Sequence, residues 1–129
     1  MAFDADTHRL FLGCDNKLMV MMDSTSGKVV SSVPVGAGVD STWFDPQTKL
    51  AFTSNGGAGT VSVAHQDSAS ALKIVQTIKT ARGARTMALD PSTHTIYLAA
   101  TDYEPQAAGS KDRPKAVAGT FRVLTYQMK

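Results

Sequence analysis

An all-β fold built from a repeat is what this sequence predicts, and three observations predict it. Asp4, Asp45 and Asp90 each follow a short apolar run and open a polar turn, in FDADTHRLF, FDPQTKLAF and LDPSTHTIY. Between the turns, apolar and polar residues alternate with the period of two that gives a strand unlike faces, and helical periodicity is nowhere comparable. The aspartates lie 41 and 45 residues apart, the period of a four-stranded propeller blade. The expected fold is therefore a partial β-propeller of about three four-stranded antiparallel blades, the last lacking its outer strand.

Blade 1 takes about residues 1–40. MAFD is its innermost strand, RLFLG the second, KLMVMM the third and KVVSSVPV the fourth, with STSG as a turn. Pro34 has no N–H to give a ladder, which suits an outermost strand. Blade 2 takes about residues 41–85, with strands STWF, KLAFTS, TVSVAH and LKIVQTIKT. Asp45-Pro46 sets its first turn, since proline fixes φ and aspartate bonds its own backbone. NGGAG sets the second, where positive φ is cheap for glycine. Alternation in the fourth strand places Ile74, Gln76 and Ile78 on one face and Val75, Thr77 and Lys79 on the other. Blade 3 takes about residues 86–129, with TMAL, TIYLAA, a long polar loop over 101–119, and TFRVLTYQ. Trp43, on an innermost strand, is expected to pack between blades.

LAFTSNGGAGTVSV and DSTSGKVVSSVPVG resemble the YVTN-type repeat of bacterial propeller proteins, in register across residues 1–100 and 118–126. VDSTWFDP, HQDS and GARTMALDP are similar to segments of the C-terminal blades of such proteins. Cys14 and Ala100 stand where the motif has Asn. The resemblance implies a propeller that binds or scaffolds, in a family commonly exported to the periplasm or beyond and often without an assigned activity.

Closed propellers have roughly four to eight blades, so three units form an open arc that reads as part of a longer propeller. Such an arc exposes an apolar blade face at each end, a feature of interfaces. The expectation is self-association through those faces, dimer first, in a head-to-tail contact that closes only if the rotation allows.

The composition, 43% hydrophobic and 19% charged, is that of a globular domain. A net charge of +2 gives no reason to expect nucleic acid as a partner. Residues 65–129, with nine basic and five acidic side chains, are more basic than residues 1–64, with four and six; a small anionic ligand would suit that half. No apolar run approaches the roughly 20 residues of a membrane span, and MAFDADTHRL lacks a signal peptide's basic and apolar regions. The compartment stays open. With one cysteine, Cys14, no disulfide can close within the chain, and Cys14 reads as a buried inert thiol.

No haem, zinc, P-loop, dinucleotide or nucleophile-elbow motif is present, so no cofactor, metal or catalytic residue is expected. His8 and His94 occupy matching turns and read as solvated, and His65 with Asp67 reads as a turn cap. The propeller loops that gather over the channel carry the ligand candidates Asp40, Asn55, Arg82, Arg85 and Tyr103. Arginine binds carboxylate or phosphate as a fork, which makes Arg82 and Arg85 the sharpest pair. A competing structural reading pairs Arg85 with Asp40 to lock adjacent blades. The long loop reads either as a lid or as packing against a neighbouring blade, since loops beyond about 12–15 residues are usually functional or mobile. The function expected is a non-enzymatic binding or interaction module. The alternative is part of a lyase- or hydrolase-like propeller enzyme whose site is completed by further blades or a second chain.

Overall fold

The structure, a computed structural model, describes residues 1–128. Among them are eleven strands and no helix, in three antiparallel sheets. Blade 1 is β1 (Ala2–Asp4), β2 (Arg9–Cys14), β3 (Leu18–Asp23) and β4 (Val29–Pro34). Blade 2 is β5 (Val39–Asp45), β6 (Leu50–Asn55), β7 (Thr60–Ser68) and β8 (Ala71–Lys79). Blade 3 is β9 (Met87–Asp90), β10 (Thr95–Ala100) and β11 (Arg122–Gln127), three strands and no fourth among the described residues. Each sheet is a meander with strands paired in chain order. Pro34 ends β4, the outer strand, where its missing N–H costs no ladder bond.

The repeated turn has one design in all three blades. The Asp4 carboxylate accepts the Asp6 N–H at 3.2 Å and the Thr7 hydroxyl. Asp45 accepts the Gln47 N–H at 3.0 Å, and Asp90 accepts the Ser92 N–H at 2.9 Å. Each turn then closes on a left-handed residue that is not glycine: His8 at φ 55°, Lys49 at 57° and His94 at 54°. Such a conformation is uncommon for residues with a Cβ, and its recurrence at one station marks a shared geometry.

Period two then sorts each strand into a face toward the preceding blade and a face toward the next. Phe11, Met19, Met21 and Val33 of blade 1 pack against Phe44, Ala51, Ala64 and Leu72 of blade 2. The Phe11 and Phe44 rings stack across this boundary, 4.5 Å apart and 15° from parallel. Phe52, Val61 and Val63 on the other side of blade 2 pack against Met87, Ile96 and Leu98 of blade 3. Burying such side chains is worth roughly 1.5–3 kcal/mol each, so the blade boundaries are the core.

Alternation in β8 differs from the sequence expectation. Ile74 packs into the boundary with blade 1 and Ile78 into the boundary with blade 3. The cause is a bulge: Val63 pairs with Gln76 and Ala64 with Ile74, which leaves Val75 unpaired and reverses the faces beyond it. Trp43 does bridge blades, but by its edge. Its indole N–H donates to the Met87 carbonyl at 2.8 Å while the residue stays 39% exposed. Cys14 is half-buried, not enclosed.

Candidate functional site

A meander puts the second-to-third and fourth-to-first connections at one end of every blade and the remaining turns at the other. The first end is the upper rim. Its loops are joined through their main chains. Gly56 N–H donates to the Gly38 carbonyl at 2.8 Å, Ala58 N–H to Ala37 at 3.0 Å, Thr80 N–H to Gly59 at 2.8 Å and Gly83 N–H to Gly56 at 2.7 Å. Glycine is required for this approach. Gly38 lies at φ 71°, and a Cβ there would sit 2.5 Å from the Gly57 nitrogen.

Because backbone holds these loops, their side chains are released. Arg82 and Arg85 are exposed, and neither ion-pairs among the described residues. Asp40 is exposed too, with the Ser41 hydroxyl at 3.5 Å. The Arg85–Asp40 pair that the repeat suggested therefore does not form. Asp40 opens the boundary between blades 1 and 2. Arg85 stands at the next boundary, where its carbonyl accepts the Ser54 hydroxyl and its side chain lies beside Gly56.

Asn55 faces inward. Fully buried, it donates its amide to the Thr60 hydroxyl at 3.1 Å and the Ser62 hydroxyl at 2.9 Å, which fastens the loop it precedes.

The long loop is a two-stranded finger at its base. Tyr103 pairs with Ala116, Glu104 N–H donates to the Lys115 carbonyl at 2.9 Å, and Val117 N–H to Asp102 at 2.9 Å. The Thr101 and Thr120 hydroxyls meet at 2.8 Å, and Asp102 pairs with Arg122 at 2.9 Å. The finger leans its Tyr103 ring on Gly83, where a Cβ would lie 2.5 Å from the ring. Between finger and rim runs a shallow groove of about 270 Å³ lined by Gly83, Arg85, Thr86, Ala100, Tyr103 and Phe121 among others. The groove joins Arg85 and Tyr103. Asp40 and Asn55 are not part of its lining. It offers a cation, a phenol and aromatic surface, with no carboxylate or imidazole among its lining residues to act as a general base. A larger cleft of about 630 Å³ lies between β8 and β11, lined by apolar side chains such as Phe52, Ile78 and Ile96 and by polar ones such as Gln76 and Gln127.

The lower rim is different. His94, expected to be solvated, places Nδ1 2.6 Å from the buried Asp45 carboxylate of the preceding blade. Burial opposes ionisation of Asp45, but the bonds from His94 and from the turn N–H groups outweigh it and hold its pKa below the ordinary range. Lys49 makes the same backward reach, its Nζ 3.9 Å from Asp6 of blade 1. Gln66 donates to the Thr7 hydroxyl at 2.9 Å across that boundary. The signal for this latch was present in the sequence, since a base follows the turn threonine in every repeat (His8, Lys49, His94). His65 bonds its near neighbour Asp67 at 2.6 Å. No group of three or more His, Cys, Asp or Glu is arranged to hold a metal among the described residues. Among the described residues no helix is long and apolar enough to cross a membrane.

No family model and no curated protein matches the chain. Solved structures do. A Kuenenia stuttgartiensis hydrazine synthase superposes with a TM-score of 0.67 at 19% identity, covering 78% of this chain and 28% of that one. Saccharomyces cerevisiae Sqt1 gives 0.67 at 20%, with the same coverage. The dihydro-heme d1 dehydrogenase NirN, solved in complex with DHE, gives 0.65 at 21%, covering 92% of this chain and 28% of its own. The fold is that of a partial β-propeller. The chain spans little more than a quarter of the length of these structures.

Proposed function

We propose that this chain is a non-enzymatic β-propeller binding module of the YVTN-repeat type that takes a small anion at the upper rim. Arg85 is the principal contact, Arg82 adds charge at the mouth, and Tyr103 supplies a hydroxyl and a stacking surface. The observation that carries this reading is that neither arginine has a carboxylate partner among the described residues, and that Arg85 lines a groove with no general base among its lining residues. A guanidinium in that state binds carboxylate or phosphate through paired hydrogen bonds.

Calorimetric titration with inorganic phosphate, pyrophosphate and citrate tests it. Arg85→Ala is expected to weaken the best anion at least tenfold, and Arg82→Ala less. Both variants should unfold within about 0.5 kcal/mol of the parent, as exposed substitutions do. No heat from any of the three anions, or unchanged binding in Arg85→Ala, overturns the reading.

A further inference from the structure

The boundaries between blades obey a rule that the two ends of the arc leave unfulfilled. Three stations define it. First, an aromatic on the second strand faces the next blade: Phe11 in blade 1 and Phe52 in blade 2, both 0% exposed. Secondly, the residue before the turn aspartate faces the preceding blade and meets that aromatic. Phe44 does so by stacking on Phe11, and Leu89 packs into the cluster of Phe52. Thirdly, the left-handed base in blades 2 and 3 reaches back to an acid in the turn of the blade before it: His94 to Asp45, at the station of Asp90, and Lys49 to Asp6, two residues further along its turn.

Blade 3 presents the first half of such a boundary with nothing on it. Tyr97, at the station of Phe11 and Phe52, is 38% exposed. Ala88 and Thr125 flank it in register on the same face, and Val123 on β11 is exposed as well. Asp90 is accessible, whereas Asp4 and Asp45 are buried. Blade 1 presents the matching half. Phe3, at the station of Phe44, is 53% exposed, against 7% for Phe44. Leu10 and Met22 stand beside it in register on the same face. His8, in the same conformation as Lys49 and His94, is exposed.

We infer that a second copy of this chain docks head to tail on the first, its blade 1 against blade 3, with Phe3 on Tyr97 and His8 bonded to Asp90. The contact continues the internal boundaries, so what it requires of a partner is what this chain carries on its own free face. The interface is heterologous, and each copy keeps one half to offer to another.

The test is solution mass by light scattering over a concentration series with four surface variants of the 129-residue chain. The parent is expected to move toward twice its 13.7 kDa, or multiples of it, as concentration rises. His8→Lys copies the base that blade 2 uses and should associate like the parent. His8→Asp, tolerated in a left-handed turn, sets carboxylate against carboxylate and should raise the dissociation constant at least tenfold. Tyr97→Glu should do the same, and Tyr97→Phe should not. A second readout is oxidation of a Phe3→Cys chain mixed with a Tyr97→Cys chain, both in a Cys14→Ser background. The mixed disulfide should form in preference to either homodimer. A parent that stays monomeric at millimolar concentration overturns the inference, as does equal association of His8→Lys and His8→Asp, or a crosslink with no preference for the mixed pair. A parent that is monomeric while a longer chain carrying further blades is well folded assigns these faces to those blades and likewise overturns the second copy as occupant.

Discussion

The two rims of this arc solve one problem in opposite ways. At the lower rim, side chains hold the blades together: carboxylates cap turns and accept the base of the next blade. At the upper rim the main chains of glycine-rich loops bond one another directly. The first solution consumes the chemistry of its residues. Asp45 is buried, capped and paired, with nothing left to offer. The second leaves the Arg82 and Arg85 side chains exposed and without a carboxylate partner among the described residues. In this molecule the rim with unpaired cations is the one whose loops are joined mainly through backbone, with the buried Asn55 amide as a peg beneath them.

The largest expected effect would break the lower rim. Asp45→Ala removes a buried acceptor from two turn N–H groups and from His94, and should cost about 3 kcal/mol in urea unfolding. Asp90→Ala removes a similar cap from an accessible turn, where water replaces it, and should cost about 1 kcal/mol. Equal losses at the two positions would erase the distinction between a latched turn and an unlatched one. Next comes the upper rim. Gly38→Ala forces a Cβ toward the Gly57 nitrogen at positive φ and should cost about 2 kcal/mol. It should also loosen the loops beneath Arg85, so anion affinity should fall with stability. The smallest effect is acid sensitivity. Hydrogen bonding holds Asp23 and Asp90 below the ordinary carboxylate range, and it outweighs burial to do the same for Asp4 and Asp45. A depressed folded pKa contributes stability that is present above the unfolded value of about 3.9 and lost as pH falls through the folded value. The melting temperature followed by circular dichroism should be flat above about pH 5 and decline below about pH 4. Asp45→Asn should flatten part of that decline.

Much of the fold was legible because each blade states itself. An aspartate, a turn threonine and alternating strands are local signals, and three copies of them set the period. What escaped were relations between blades. Nothing within one repeat says that His94 lies over Asp45, because the distance belongs to the angle at which sheets stack. The Arg85–Asp40 pairing failed for the same reason: equivalent stations in adjacent blades are equivalent, not adjacent. Asn55 looked like a loop residue beside two glycines, and only the burial of its neighbours shows it to be a peg. The β8 bulge at Val75 escaped a reading that counts by twos. The finger carrying Tyr103 is polar along its length, so neither its pairing nor its contact with Gly83 had an apolar pattern to announce it.

Blade 2 is covered on both faces, and all of β6 except Leu50 is buried. Blades 1 and 3 are each covered on one. In a stack where each unit touches only its neighbours, opening is a matter of rank. Amide hydrogens of β6 and β7 should exchange only when the whole arc comes apart, while β1 and β11 exchange by peeling from the ends. The middle blade thus acts as the keystone of a short masonry arch. The outer two can be shed and regained without it, but neither has anything to rest on once it goes.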